Sequence, residues 1–386
     1  MNSADVCWVL ICSALVLIMT PGLSLFYGGM VQKKNVISTM FQSFISMALM
    51  TLLWVVVGFS LSFGESFHGV IGNPVSFFML EDMSGKTWSL APTIPLMLFA
   101  FFQLKFAIIT PALITGAFAE RIKFKSYLIF ITLFSLFIYC PLAHMTWHPD
   151  GILFRNGVLD FAGGTVVHMS AGVAALACAL YLKGRSEMVH NPSRITYVLL
   201  GTGLLWFGWI GFNGGSAFGA NDVAVLASLT TTIASATAML AWLAMDAVSG
   251  KQPSALNACV GAVVGLVAIT PAAGLVTPVE SIVVGVVSAL VSNAAIRWRA
   301  SKTSIDDTLD VFPSHGIGGM VGMLLTGVFA DAGSFLVQLA AMTVVALYVF
   351  LMTHVLLRVT DRVSPLRVDQ ADEKLGLDIT QHGEKL

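Results

Sequence analysis

The chain has 386 residues, 56% of them hydrophobic and only 11% charged, with a formal net charge of −1 and a mean hydropathy of +0.85. Soluble domains carry about 25% charged residues, so a soluble core of this length has nowhere to hide so much apolar surface. The near-neutral balance also excludes the bulk basic field on which nucleic-acid binding depends, and no nucleic-acid partner is expected.

A membrane span needs about 20 mostly apolar residues, and only helices or closed barrels satisfy their backbone groups in lipid. The apolar runs here are continuous rather than alternating, which predicts helices. In chain order, eleven spans are expected, at 4–30, 35–63, 91–119, 124–145, 161–183, 195–213, 222–249, 255–272, 279–298, 307–329 and 335–360. Residues 1–360 then form one transmembrane domain, and 361–386 a polar tail. The first five residues lack the basic flank of a signal peptide, so the first run is expected to stay as a span. Cys7, Cys12, Cys140, Cys178 and Cys259 are scattered through apolar runs and read as small packing residues, not as a disulfide or zinc set.

An odd number of spans puts the termini on opposite sides, and Lys and Arg mark the cytoplasmic side. With the N-terminus outside, the inner loops and tail receive 17 of them: Lys33, Lys34, Arg121, Lys123, Lys125, Lys183, Arg185, Arg194, Lys251, Arg297, Arg299, Lys302, Arg358, Arg362, Arg367, Lys374 and Lys385. The outer loops receive Lys86 and Arg155, and Lys105 falls inside a span. One missed helix would scramble that alternation, so the lopsided count supports both the orientation and the topology.

Two phrases repeat five spans apart. Phe26-Tyr27-Gly28-Gly29 closes span one and Phe212-Asn213-Gly214-Gly215 closes span six, while Asp160 precedes His168 by eight residues and Asp307 precedes His315 by eight. Two five-span halves of opposite orientation form an inverted repeat, whose interface is where transport sites lie. Ionisable groups inside spans are costly and point to function, and His168 and His315 lie deep in such runs. Two facing neutral imidazoles can share a proton and line a narrow path, whereas a single packed histidine would be satisfied by a backbone carbonyl.

The run Asp160-Phe161-Ala162-Gly163-Gly164-Thr165-Val166-Val167-His168 closely resembles the signature of Amt/Mep/Rh ammonium transporters. Further matches are Gly116-Ala117-Phe118-Ala119-Glu120-Arg121, Ala143-His144-Met145-Thr146-Trp147, Gly208-Trp209-Ile210-Gly211-Phe212-Asn213-Gly214-Gly215-Ser216 and His315-Gly316-Ile317-Gly318-Gly319. The resemblance spans nearly the whole chain. It implies an all-α polytopic membrane protein of eleven helices, two inverted five-helix repeats around a pore, and assembly as a homotrimer with one pore per subunit. It also implies that His168 and His315 are the twin pore histidines, that Trp147 and Ser216 recruit ammonium outside, and that Phe106 and Phe212 stack as a gate beneath.

Those residue types suit the chemistry. An indole face attracts ammonium by cation–π interaction, worth on the order of 0.5 to 2 kcal/mol, and a serine hydroxyl accepts a hydrogen bond that potassium cannot donate. Taken singly, Trp147 also suits an interfacial belt, and Phe106 and Phe212 ordinary packing. Asp160 is read as a structural helix cap and Trp209 as packing behind the gate. Two features depart from the family pattern: Lys105 beside Phe106, expected to face a helix or subunit neighbour, and His148-Pro149-Asp150 directly after Trp147.

The tail resembles the family's cytoplasmic C-terminal region, which packs beneath the trimer and engages a PII-type regulator; without the resemblance it reads as a solvated segment. The expected function is inward movement of ammonium or ammonia across a cell (inner) membrane, without cofactor or metal. The alternative is an ammonium sensor feeding a signalling domain; the absence of such a domain before Leu386 favours transport. An intramembrane hydrolase has little support, since no activated Ser or Cys phrase and no metal-spaced ligand set accompanies the histidines.

Overall fold

The computed structural model describes residues 1–187 and 191–386. Ten helices among these are long and apolar enough to cross a membrane: α1 (Ser3–Met30), α2 (Lys33–Phe63), α3 (Leu96–Phe118), α4 (Phe124–Arg155, its final turn set off by a break), α5 (Gly164–Leu182), α6 (Ile195–Gly215), α7 (Asp222–Val248), α9 (Pro278–Lys302), α10 (Phe312–Phe329) and α11 (Phe335–Val363). Between α7 and α9 lies α8 (Ala255–Ile269), a helix of 15 residues. It stands where the eighth of eleven spans was expected, but is shorter than the roughly 20 residues a full crossing takes. It stops where Pro271 cannot continue it, and the Pro271 carbonyl instead accepts from the Phe161 N–H at 3.1 Å.

Helix starts follow local chemistry. Pro92 and Pro95 delay α3 to Leu96, five residues past the expected start. Asn221, Ser254, Thr277 and Ser334 cap α7, α8, α9 and α11 with side-chain oxygens. One small antiparallel hairpin, β1 (Ser66–Phe67) with β2 (Ile71–Gly72), interrupts the otherwise helical chain on the outer side.

The first helix of each expected half, α1 and α6, pack along one another in antiparallel fashion. Small residues bring the backbones together: Gly29 meets Val198, Gly22 meets Leu205, Gly208 meets Met19 and Gly211 meets Leu15. Close approach through small residues is how helices associate where lipid gives no hydrophobic drive.

On the cytoplasmic side, the loops are tied by buried charge. Arg121 is fully buried and donates to Thr308 Oγ1 and the Asp306 carbonyl, both at 2.6 Å. Arg185 bridges Asp306 at 2.8 Å and Glu120 at 2.7 Å. Burial alone would raise the Asp306 carboxyl, but the hydrogen bonds and charge of Arg185, with the charge of Arg121, outweigh it and hold it below the ordinary carboxylate range. The tail is not the free, solvated segment its composition suggests. Its two short helices, α12 (Gln370–Leu375) and α13 (Leu377–His382), dock on these loops. The Val368 N–H donates to the Arg121 carbonyl at 3.0 Å, and the Asp378 carboxylate accepts from Ile37 and Ser38 N–H at the start of α2.

Candidate functional site

The two expected histidines begin α5 and α10 in the same way. Each helix opens with a π-helical turn, Gly164–Met169 in α5 and Phe312–Ile317 in α10, and each histidine sits inside it. The first N–H groups of any helix lack an intrahelical partner, and π-helical turns recur at functional sites. A buried aspartate takes up those donors in both cases. Asp160 accepts from the N–H groups of Gly163, Gly164, Thr165 and Val166 at 2.6–3.3 Å. Asp307 accepts from Val311 and Phe312 at 3.1 and 2.7 Å. This is why α10 begins at Phe312 and not at 307: the residues before it turn back as its cap.

The two turns bring the imidazoles together, with His168 1% and His315 4% exposed. Their Nδ1 atoms are 3.4 Å apart and their ring centroids 5.4 Å. Close approach is set by Gly172 and Gly316, where an added Cβ on Gly172 would lie 2.0 Å from the Gly316 nitrogen. When one Nδ1 carries the shared proton, its ring has an acceptor at Nε2 and the other ring a donor there. The Nε2 of His168 is buried without a protein partner.

Helices α3, α4 and α6 bring the remaining expected residues to the same place. The Phe106 and Phe212 rings lie 4.2 Å apart at 34°, with Phe212 6.0 Å from His168 on one side and Trp147 6.0 Å from Phe106 on the other. Trp147 donates its indole N–H to the Asp160 carbonyl at 3.0 Å, so Asp160 holds both the tryptophan and the histidine-bearing turn. Ser216 ends α6 and donates its hydroxyl proton to the Phe212 carbonyl at 2.8 Å, which leaves its oxygen lone pairs available to accept.

Trp209 differs in detail from its expected role. It stacks on His168 at 5.1 Å and 21°, while also meeting Phe212 at 5.6 Å, so it backs the histidine as well as the phenylalanine pair. Lys105 is buried and places Nζ 3.6 Å above the Phe101 ring, one turn back on its own helix. Two contributors escape sequence reasoning and left no signal in it: Thr270 accepts the Trp209 indole N–H at 2.9 Å, and Phe102 meets Phe106 edge-on at 5.0 Å. Asp307, marked in the sequence only by its eight-residue spacing to His315, is the structural counterpart of Asp160.

Among known proteins, residues 7–386 match the model of the Ammonium Transporter Family. An ammonium transporter of Aquifex aeolicus is 42% identical over 399 residues, covering 100% of this chain and 93% of that one. Of solved structures, Mep2 of Candida albicans matches with a TM-score of 0.91 at 35% identity, covering 96% of this chain and 87% of that one. A protein described as a sensor Amt protein matches with a TM-score of 0.90 at 29% identity, covering 98% of both chains.

Proposed function

We propose that this chain, which belongs to the ammonium transporter family and is a multi-pass membrane protein, moves ammonium or ammonia inward through a path lined by His168 and His315. The observation that carries the reading is the paired buried imidazoles beneath a closed phenylalanine pair. Ammonium first rests on the free face of Trp147 and donates a hydrogen bond to Ser216. The Phe106 and Phe212 rings oppose a hydrated ion, so the cation gives its proton to water at the pair and passes as ammonia, while the proton follows separately over the shared-proton bridge of His168 and His315, so that net charge crosses. Beyond them the molecule meets His168 Nε2, a ring nitrogen without a protein partner, and is handed along to His315. Trp209 holds His168 from behind, and Asp160 fixes the turn from which it projects.

In this reading the protein is a carrier and not an enzyme, sits in a cell (inner) membrane, and assembles as a homotrimer. Residues 1–360 form its transmembrane domain, and its docked tail, residues 361–386, offers the cytoplasmic face to a PII-type regulatory protein. These points rest on the family resemblance and on the docked tail.

The test is current on a solid-supported membrane carrying proteoliposomes of the purified protein after an ammonium pulse, beside His168→Ala. A saturable current, lowered at least about tenfold in the variant, is the expected result. Ammonium binding with neither current nor flux sinks the transport reading and favours a sensor, the role named for one of the structural relatives.

A further inference from the structure

Two more histidines close the outer end of α4, and the path described above uses neither. His144 is fully buried, with its Nδ1 at 3.1 Å from the Ser62 carbonyl, to which it donates, and its Nε2 at 2.8 Å from Ser66 Oγ, from which it accepts. Both ring nitrogens are therefore occupied. His148 stacks on it at 4.4 Å and 20°, one helical turn later. Its Nδ1 accepts from the backbone N–H of Asp150 at 3.0 Å, and its carbonyl accepts from Gly151 N–H at 2.8 Å. That tight turn starts at the residue after Trp147. Its far end is pinned by Ile152 N–H donating to the Gly69 carbonyl at 2.8 Å.

The closed turn requires an unprotonated Nδ1. The groups around the ring are few: His144 on the same helix, the Trp88 ring edge-on at 5.2 Å from the outer loop, and the Asp150 carboxylate, 69% exposed and 3.9 Å from Nδ1. Of these only His144 and Asp150 titrate, and His144 is fully buried with no carboxylate against it, which disfavours its charged form. A proton added at Nδ1 would face the Asp150 N–H donor to donor. The ring must then abandon that bond and turn toward the exposed carboxylate, opening the turn behind Trp147.

We propose that His148 is an external proton sensor for the outer mouth. Neutral, it closes the turn that directly follows Trp147; protonated, it releases that turn and sets a positive charge beside the site where the cation is recruited. The inference rests on Trp147 being that recruitment site. Acid outside then weakens ammonium capture without altering the path beyond it, so half-saturation shifts while maximal flux holds. Ammonium itself stays protonated across the whole range, so its own titration does not produce the shift.

The experiment measures the half-saturating ammonium concentration in proteoliposomes at external pH from about 7.5 down to about 4.5, with the lumen buffered at one pH, because burial of the His148 ring moves its change of charge below the ordinary histidine window. In the parent protein the value rises about three- to tenfold, as a like charge close by in a partly wet mouth would give. His148→Gln keeps an acceptor for the Asp150 N–H but cannot titrate, and its value stays flat. Asp150→Asn removes the carboxylate that favours the charged ring and moves the rise to lower pH. A flat parent profile, a rise that survives in His148→Gln, or an unmoved midpoint in Asp150→Asn each overturns the proposal. Trp147→Leu at pH about 7.5 reports on the underlying reading alone: an unchanged half-saturation there removes the recruitment site and the sensor with it, whereas a raised value beside a flat parent profile removes only the sensor.

Discussion

Trp147 gives its single hydrogen-bond donor to the Asp160 carbonyl, and Ser216 gives its proton to Phe212, so what each has left is the part a cation wants: an aromatic face and an oxygen lone pair. Trp147→Leu keeps the apolar bulk but loses the ring quadrupole. The expected outcome is a rise in half-saturating ammonium of about 2- to 30-fold, the equivalent of 0.5 to 2 kcal/mol, with maximal current little changed. Titration of the ammonium-evoked current reads it directly, and an unchanged half-saturation would show that the indole is only packing. The identities of these residues were legible from the sequence because the surrounding phrases are specific. Their free and used hydrogen-bonding groups were not, since those depend on partners such as Asp160 O and Phe212 O that only the folded chain supplies.

At the level of elements, the site is two matching helix starts pressed together. A π-helical turn, a buried aspartate cap and a histidine recur in α5 and α10, and the two helices meet where Gly172 faces Gly316. Neither helix can hold its histidine in place alone, because the 3.4 Å approach of the imidazoles is set by the backbone contact one turn below. Gly172→Ala would drive a methyl into the Gly316 backbone, which cannot rotate away as a side chain would. A loss of about 1 to 3 kcal/mol in stability is expected from such overpacking, together with loss of current. A thermal melt in detergent beside the current measurement checks both, and a variant with parental melting and parental current would show that the helices part without consequence. The eight-residue spacing from aspartate to histidine announced this repeat in the sequence. The widened turn did not announce itself, since residue types there are compatible with an ordinary helix and the register is decided by the cap.

Across the whole molecule, charge is sorted by side. Glu65, Glu81, Asp82, Asp150, Asp222, Glu280 and Asp331 stand on the outer side against Lys86 and Arg155, whereas the inner loops and tail hold most of the lysines and arginines. A face of one sign raises the local concentration of the opposite ion, and salt screens it with a Debye length of about 10 Å at 0.1 M. Half-saturating ammonium is therefore expected to rise about two- to fivefold as an inert salt outside goes from about 0.01 to about 0.5 M. Currents at fixed pH read this, and insensitivity to salt would mean that the surface carboxylates do not contribute to capture.

Hydropathy, the alternation of basic loops and a handful of dense motifs by themselves determined the class of protein and the course of nearly every span, and named residues that the structure gathers at the candidate site. They suffice because lipid imposes length and polarity on each span independently of its neighbours. The tertiary structure alone decided that the polar tail docks, that Trp209 backs His168 through Thr270, and that Lys105 lies over Phe101. The first two depend on partners distant in sequence: Val368 with Arg121, Trp209 with Thr270. Even the cation over Phe101, four residues away, needed the helix to be built before the two could meet. Pairings of that kind have no local signature, because the free energy that selects them exists only once the helices are packed.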